Sequence, residues 1–492
     1  MIIKGGRVLD PLSGMDLTAD ILVENGIIKE IRPLSGAKEP LSGEERQDPE
    51  ESTAAERNNT QKQEGRISGE KKTGQGREKN IPVPEEAVTA AEEPGREQEG
   101  RIAADENGSI IIDARGLYIA PGLVDVHVHF RDPGLTYKED ITTGAAAAAA
   151  GGFTTVVCMA NTKPPVDRAE ILENLSYREK NLPIHVLNAA CVTQNMEGRL
   201  LTDMAALKKA GAVGFTDDGF PIQDERLLFE AMTEAKRLGL PISLHEEDPI
   251  FVGSPGINQG PAAKELGLAG ASALAEHTLT ARDCLLALQT GARTDIQHIS
   301  SRLTVELIRF MKGLGADVWA EVTPQHFSLT EECVKEKGTL AKVNPPLRSE
   351  EDRKALLRGL ADGTIDMIVT DHAPHSSKEK EQEFAKAPSG MIGLETSLAL
   401  GITNLVRTGV LSLPELIRKM TSAPAAFYGL DCGFVKEGKP ADLVLFDDQR
   451  KWIVKESDFR SKSKNSPFIG TELYGKVIYT ICGGNIVYKE KQ

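Results

Sequence analysis

The central part of the chain alternates between two hydrophobic patterns. Short apolar runs rich in β-branched residues are separated by amphipathic stretches rich in Ala, Leu and Glu. Eight such runs occur, at 124–130, 154–161, 184–192, 212–218, 242–246, 295–299, 318–323 and 367–371. Strands that alternate with helices indicate a parallel sheet, and eight units predict an α/β fold of the (β/α)₈ TIM-like barrel type. A doubly wound open sheet is the structural alternative.

At both ends of the chain, apolar and polar residues alternate with the two-residue period that is typical of half-buried strands. Apolar and polar residues alternate at 2–9, 20–24, 27–31 and 110–113, and again at 442–446, 476–482 and 485–489. We therefore predict a small β-sandwich domain built from both termini around the barrel. Its parts are residues 1–41, a return strand at 110–120 and residues 431–492, and the metal-binding barrel spans 121–430.

Residues 42–109 differ from the rest of the chain in composition. This segment contains no Phe, Tyr, Trp, Leu, Met or Cys and is dominated by Glu, Gln, Lys, Arg, Gly, Ala and Pro. Such a sequence cannot bury enough apolar surface to offset the entropy of ordering it. We predict a disordered, low-complexity insertion over 42–109.

Charge and cysteine usage exclude several classes of protein. The 58 basic and 73 acidic side chains give a formal charge of −15, which argues against nucleic-acid binding by bulk electrostatics. No apolar run reaches the roughly 20 residues of a membrane helix, and we see no signal peptide. Six scattered cysteines form no C-x-x-C pair. We expect a cytoplasmic protein with reduced thiols and no membrane association.

The first central run carries polar side chains at every second position. It reads VDVHVHFRDPG, so Asp125, His127, His129 and Arg131 share one face of the strand. The apolar face can pack against helices while the polar face points inward. Because the cluster lies at the carboxyl end of the strand, it occupies the place where barrel enzymes carry their active sites.

The other runs end in similar residues. Their polar ends are Asn161, Asp218, His245, His298, and Asp371 with His375 shortly after it. If the barrel is right, these groups meet at one mouth. Four histidines and two aspartates without a thiolate suit zinc or another borderline divalent ion, and one carboxylate between two ions would serve a two-metal centre. We interpret the remaining polar residues as structural or solvated, namely His185, His277, His326, Glu246 and Glu247, and give His372 at most a supporting role.

Longer motifs make the pattern specific. Residues 121–134 read PGLVDVHVHFRDPG, residues 344–349 read NPPLRS and residues 370–375 read TDHAPH. In these motifs the chain resembles the class I bacterial dihydroorotases of the metal-dependent amidohydrolase superfamily. The resemblance runs from about residue 5 to 488, interrupted only by 42–109.

The resemblance implies two zinc ions per subunit and a set of ligands. His127, His129 and Asp371 would hold one ion, His245 and His298 the other, and Asp218 would bridge both. Related hydantoinases and allantoinases use a carboxylated lysine as the bridge. The matching stretch here, residues 213–219, contains Asp and no Lys.

The resemblance also implies the substrate and the reaction. L-Dihydroorotate would be interconverted with N-carbamoyl-L-aspartate in de novo pyrimidine biosynthesis, by a homodimer. The substrate-binding residues would be Arg131, Asn161, Asn344, His375, Ser389 and Gly390. A hydroxide between the metals would attack the cyclic amide, with Asp371 as the general acid and base.

Two alternatives remain open from the sequence. A hydantoinase-type or allantoinase-type cyclic amidohydrolase would share the fold and the metals, but would not need Arg131 for a substrate carboxylate. A non-catalytic scaffold homologue would keep the barrel, although such proteins typically lose ligands and all six ligand positions are present here.

Overall fold

The computed structural model describes residues 1–34, 102–104 and 110–491. Most of the predicted insertion, 42–109, lies outside the described residues. The exception is Ile102–Ala104, a short strand that pairs antiparallel with Ile110–Asp113. The predicted insertion therefore includes three residues that belong to a sheet, because their backbone groups find partners there even though their side chains are exposed.

Sixteen strands and fourteen α-helices follow one another along the described chain. The strands are β1 Ile2–Asp10, β2 Met15–Glu24, β3 Ile27–Pro33, β4 Ile102–Ala104, β5 Ile110–Asp113, β6 Tyr118–Pro121, β7 Leu123–Val128, β8 Phe153–Cys158, β9 His185–Asn188, β10 Ile242–Leu244, β11 Thr294–Ile296, β12 Val318–Val322, β13 Met367–Ile368, β14 Leu443–Ile453, β15 Glu472–Cys482 and β16 Asn485–Lys489. The helices are α1 Ile141–Ala150, α2 Ala169–Glu179, α3 Met204–Lys209, α4 Glu225–Leu238, α5 Pro261–Glu265, α6 Leu274–Thr290, α7 Arg302–Gly313, α8 Pro324–Ser328, α9 Cys333–Lys337, α10 Glu350–Ala361, α11 Ser377–Lys380, α12 Ser397–Gly401, α13 Leu413–Lys419 and α14 Ser422–Tyr428.

Both termini contribute to one sheet of nine strands. Its main order is β16-β15-β14-β6-β1-β2-β3, with β5 paired to β1 and β4 paired to β5. The alternating apolar residues explain why these strands pair. Ile3, Ile21, Leu443 and Ile481 are among the residues of a hydrophobic core that lies on this sheet, separate from the main core of the central region. The β-rich termini are thus found together, while the division into two facing layers stays a prediction.

The central strands pair in parallel. β7, β8 and β9 form one set, and β10, β11, β12 and β13 form another. Isolated parallel bridges connect the sets, because Phe215 pairs with both Ala190 and Ile242, and Val128 pairs with His372. The parallel pairings therefore form a closed series. It runs from β7 through β8, β9, the bridge residue Phe215, β10, β11, β12 and β13, and the His372 bridge returns it to β7.

The fourth apolar run differs from its prediction. Residues 212–218 form no regular strand, and only Phe215 bridges its two neighbours. The reason lies in the side chains that follow Phe215. The carboxylate of Asp217 accepts hydrogen bonds from the backbone N–H groups of Val192 and Thr193. Side-chain contacts with the preceding loop thus stand here in place of regular strand pairing.

Helices return the chain between the parallel strands, and their ends follow ordinary capping rules. Asp224 accepts hydrogen bonds from the first turn of α4, and Gly239 ends that helix with a left-handed backbone. Ser349 and Asp352 form a reciprocal capping box at α10. Searched over its described residues, the chain contains no helix with the length and apolar character that a membrane span requires.

Candidate metal centre and substrate pocket

The predicted ligands lie at the carboxyl ends of the parallel strands. His127 is on β7, and His129 follows that strand directly. His245 and His298 come just after β10 and β11, and Asp371 follows β13. Because parallel strands present their carboxyl ends at the same edge, these side chains meet although the sequence separates them widely.

The first group surrounds His129. Its Nε2 lies 3.0 Å from Oδ1 of Asp371 and 3.5 Å from Oδ2 of Asp218. Nε2 of His127 lies 3.4 Å from Oδ1 of Asp218 and 3.7 Å from Oδ1 of Asp371. All four side chains are nearly inaccessible to solvent, so the group is a compact set of nitrogen and oxygen donors.

The second group shares one residue with the first. Nδ1 of His245 lies 3.0 Å from Nε2 of His298 and 3.7 Å from Oδ1 of Asp218. His127, His129 and Asp218 form one set whose ligand atoms all lie within 4.8 Å, and Asp218, His245 and His298 form another. Asp218 is therefore common to both candidate ligand sets.

The pKa shifts within the group differ in direction. Burial lowers the pKa of His127, but the charges of Glu321 and Asp218 outweigh burial and raise this pKa well above its ordinary value. Burial disfavours a charged Asp218, but the neighbouring His127, His129 and His245 outweigh this effect and hold the pKa of Asp218 well below its ordinary value. Burial, and then the charges of His245 and His127, lower the pKa of His298. An ionised carboxylate and a neutral imidazole are the forms that ligate metals.

Two buried nitrogens in the group test whether it fits a metal. Nε2 of His127 and Nδ1 of His298 are inaccessible to solvent and have no hydrogen-bond partner among the described residues. A buried polar atom without a partner costs roughly 1–3 kcal/mol. A divalent cation would satisfy such a nitrogen, so the donor set fits one.

The backbone turns sharply at three of the predicted site residues. Arg131, His298 and Asp371 have positive φ angles of 58°, 31° and 46°. Residues other than glycine rarely adopt this region, and such strain is concentrated at functional sites. The turns redirect the chain directly after the strand ends.

Glu321 on β12 was missed by the sequence analysis. Its Oε1 lies 2.5 Å from Nδ1 of His127 and accepts the backbone N–H of His298 at 3.0 Å. Burial, and then the charge of Glu321, raise the pKa of the adjacent Asp295 well above its ordinary value. Glu321 thus orients two of the candidate ligands, His127 and His298. The sequence does contain a sign of this residue, because Glu321 is the single carboxylate inside the apolar run 318–323.

Asn161 forms hydrogen bonds with two of the candidate metal ligands, so its amide is not free to bind a substrate directly. Its Oδ1 lies 3.0 Å from Nδ1 of His129, and its Nδ2 donates to Oδ2 of Asp218 at 2.8 Å. Both ends of the amide are occupied by ligands of the first group. Asn161 therefore lies at the centre and holds its ligands in place.

Arg131 lies close enough to the candidate metal group for the charges of Asp371 and Asp218 to act on it. Its Nε donates to the carbonyl of Pro374 at 3.4 Å. Burial lowers the pKa of Arg131, and the charges of Asp371 and Asp218 act against this shift. A guanidinium held next to the metal ligands is suited to bind a substrate carboxylate.

His375 is held by neighbours on both sides of its ring. Its Nε2 lies 2.8 Å from the carbonyl oxygen of Ser389, and its Nδ1 lies 3.1 Å from Nζ of Lys138. Gly390, with φ of 128°, leaves space beside Nε2 of His375 that a side chain would fill. The structure therefore brings His375, Ser389 and Gly390 together, and adds Lys138, which the sequence analysis missed.

Lys138 is a buried cation next to Arg131. Burial lowers the pKa of Lys138, and the Arg131 charge lowers it further, while its hydrogen bond with Glu379 acts in the opposite direction. The ammonium lies 2.9 Å from Oε1 of Glu379. No periodicity marks this lysine in the polar stretch 135–140, so no sequence signal could have identified it.

Asn344 has no described hydrogen bond to the metal ligands. Its Oδ1 is buried and lacks a hydrogen-bond partner among the described residues. Glu246 and Glu247 were expected to be solvated, and this expectation is wrong because both are buried. Oε2 of Glu247 lies 3.8 Å from Nε2 of His245, on the side away from Asp218.

The histidines that were interpreted as structural have ordinary partners. His326 lies between the hydroxyl of Thr323 and the carbonyl of Pro345, and His277 contacts the hydroxyl of Ser301. His372 accepts a backbone hydrogen bond and lies 3.5 Å from a buried glutamate, Glu139. His185 pairs with Asp442, outside the metal centre.

Comparisons with known proteins identify the family of the chain. A family model described as Dihydro-orotase-like matches residues 116–304, and one described as Amidohydrolase family matches residues 398–488. A curated protein named Dihydroorotase from Clostridioides difficile is 59% identical over 378 residues, which cover 77% of this chain and 89% of the relative. The chain belongs to the dihydroorotase family. A Streptococcus pneumoniae dihydroorotase is 44% identical over 490 residues, covering 99% of this chain and 100% of the relative.

Solved structures show the same architecture in related proteins. An L-hydantoinase (dihydropyrimidinase) from Arthrobacter aurescens superposes with a TM-score of 0.77 at 26% identity, covering 100% of this chain and 96% of the other. A D-hydantoinase structure gives a TM-score of 0.75 at 20% identity, covering 100% and 96%, and supports the fold alone. As a dihydroorotase family member, the chain is a hydrolase of cyclic amides from a metal-dependent superfamily.

Proposed function

We propose that this chain is a two-zinc dihydroorotase that interconverts L-dihydroorotate and N-carbamoyl-L-aspartate in pyrimidine biosynthesis. The observation that carries the proposal is Asp218, whose carboxylate is shared by two ligand sets. His127, His129 and Asp371 would hold one zinc ion, and His245 and His298 the other. The absence of thiolates from both sets and the presence of unpartnered imidazole nitrogens support a borderline divalent cation.

The zinc ions would supply Lewis acidity and lower the pKa of bound water. The protein supplies proton transfer. Asp371 lies 3.0 Å from His129, just after the end of β13. We propose that Asp371 accepts the proton that the attacking water loses and then donates this proton to the ring nitrogen of the cyclic amide. In the synthetic direction the same carboxylate takes the proton from the carbamoyl nitrogen.

The substrate carboxylate would bind next to the metals. Arg131 is the anchor, since a guanidinium fork matches a carboxylate in geometry and charge. Asn344 would donate from its amide, and the backbone at Ser389 and Gly390 would close the pocket. His375 would bind the substrate while Nζ of Lys138 contacts its ring nitrogen Nδ1. Asn161 would contribute indirectly, by positioning the metal ligands with which it forms hydrogen bonds.

The closed circuit of parallel pairings is best described as a (β/α)₈ barrel, spanning 121–430. The terminal residues 1–41, 110–120 and 431–492 would form the β-domain. A homodimer in the cytoplasm is the assembly we expect from the family resemblance.

Steady-state assays test the proposed reaction. Purified protein is assayed with dihydroorotate, carbamoyl aspartate, hydantoin and allantoin, before and after a chelator and after zinc is added back. We expect turnover of the first two substrates, its loss with the chelator and its recovery with zinc. Faster turnover of hydantoin or allantoin would assign the chain to the other cyclic amidases, and no turnover with the metal bound would favour the scaffold alternative.

Two adjacent aspartates provide a matched control. Asp218→Asn should abolish turnover and reduce the zinc content, because the shared ligand is lost. Asp217→Asn changes the neighbouring carboxylate, which binds the backbone of Val192 and Thr193, and should keep both metals. Equal zinc content in the two variants would contradict the bridging role of Asp218.

A further inference from the structure

A third cluster of metal-ligating side chains lies away from the catalytic centre. It consists of His185 at the start of β9, Asp442 directly before β14 and Cys482 at the end of β15. One ligand atom from each residue lies within 4.8 Å of the other two. The cluster therefore joins a parallel central strand to two strands of the terminal sheet.

The cluster is held in place by contacts of its own. Nε2 of His185 lies 3.1 Å from Oδ2 of Asp442, and the other oxygen of Asp442 accepts the backbone N–H of Gly483 at 2.6 Å. Cys482 is buried, with its sulfur 3.8 Å from the carbonyl oxygen of Thr154. Ligand atoms of a tetrahedral zinc site are about 3.3–3.8 Å apart, given Zn–N and Zn–S bonds of about 2.0 and 2.3 Å. Only a small movement would bring the three to that spacing.

An open cavity gives access to the cluster. His185 and Cys482 line a cavity of about 500 Å³, and the His185 side chain is 51% exposed. Glu179 lines the same cavity, and its buried Oε1 has no hydrogen-bond partner in the part of the chain that the structure describes. The imidazole of His185 and the thiol of Cys482 can therefore be reached through this cavity.

We propose that His185, Asp442 and Cys482 form a separate site for a single Zn²⁺ ion, with water at the fourth position. Imidazole, carboxylate and thiolate are the ligand types that zinc takes in proteins, and the mixed set excludes Mg²⁺ and Ca²⁺, which prefer oxygen. The site differs chemically from the catalytic centre, because neither catalytic ligand set contains a sulfur. A bound ion would link β9 to β14 and β15.

The competing interpretation is an ion pair beside an inert thiol. In that case His185 and Asp442 would be a charge pair, and Cys482 would remain a weak hydrogen-bond donor. Burial raises the pKa of the Cys482 thiol, and Asp442 raises it further, so without a metal this thiol stays protonated. Metal binding requires the thiolate. Formation of a metal–sulfur bond therefore separates the two interpretations.

Cobalt substitution detects that bond. The full-length protein is prepared with Co²⁺ in place of its native metals, and its absorption spectrum is recorded in the visible and near ultraviolet. We expect a sulfur-to-cobalt charge-transfer band, which nitrogen and oxygen ligands cannot produce. Cys482→Ala should lose this band and keep both turnover and the visible bands of the catalytic cobalt. His185→Gln should raise the Co²⁺ concentration needed for the band by more than roughly tenfold, since losing a ligand costs more than losing a partner that orients one.

Two further variants serve as controls. Cys333→Ala removes a half-buried thiol on α9, outside the cluster, and should leave the band intact. Cys482→Ser keeps a hydrogen-bond donor towards Thr154, and replaces Cys482→Ala if the latter does not fold. No charge-transfer band in the wild type, or a band that survives both Cys482 variants, would overturn the proposal. Loss of the band in Cys333→Ala would assign the sulfur elsewhere and overturn it as well.

Discussion

Glu321 offers a sensitive test of how the metal centre is organised. One oxygen of this buried carboxylate contacts the imidazole of His127 and the backbone N–H of His298, so it orients one ligand from each metal set. Glu321→Ala removes the acceptor for both donors. Glu321→Gln keeps an oxygen in place but removes the charge.

The magnitude follows from these two contacts. A hydrogen bond to a charged group contributes about 1.5–3 kcal/mol. Loss of a partner that orients a metal ligand costs roughly 10–100-fold in metal affinity or activity, which corresponds to about 1.4–2.8 kcal/mol. We therefore expect metal affinity to fall about 100-fold in Glu321→Ala and about tenfold in Glu321→Gln.

Competitive metal titration against a chromophoric chelator measures the affinity, and steady-state turnover of dihydroorotate measures activity. Asp317→Asn is the control, because Asp317 directly precedes β12 and contacts Trp319 and Arg293 instead of the metal ligands. Wild-type metal affinity in a folded Glu321→Ala protein would refute the orienting role. So would an equal loss in Asp317→Asn.

Three further predictions follow from the site and its surroundings. Asp371→Ala should abolish turnover and leave the thermal melting curve close to wild type; wild-type rates would contradict its role in proton transfer. Arg131→Met should raise KM for dihydroorotate roughly 10–100-fold through the loss of a charged contact, and should change hydantoin hydrolysis much less. Burial raises the pKa of Glu179 from 4.5 to about 7, so the folded state holds this proton where the unfolded chain releases it, and stability falls as the pH rises through that window. Glu179→Gln removes this dependence, and denaturant titrations at about pH 5 and about pH 8 should show the variant gaining on the order of 2–3 kcal/mol relative to wild type at the higher pH.

The parallel strands and the gathering of His and Asp side chains at their ends could be predicted because they share one pattern. An apolar run that ends in His or Asp reports both a buried strand and the position of its carboxyl end, as at His127 and His298. The run 212–218 was overpredicted as a strand because Asp217 bonds the preceding loop, a contact between residues that sequence periodicity does not reveal.

Interactions around the ligands were harder to predict. Glu246 and Glu247 were expected in solvent because carboxylates on loops are usually exposed, yet tertiary packing buries both. Lys138 approaches His375 only through the fold, since the two are far apart in sequence. Residue type indicates which side chains can ligate a metal, whereas the partners of those ligands depend on three-dimensional contacts.

The mixed origin of the terminal sheet affects how the protein is synthesised. β6 pairs with β1 on one side and with β14 on the other, and β14 is encoded after the whole central region. On the ribosome, the N-terminal strands can assemble early, but the second edge of β6 has no partner until translation nears completion. An unpaired strand edge is a template for aggregation. A nonsense codon or protease cut upstream of β14 would leave that edge permanently bare, even if every metal ligand had already been made.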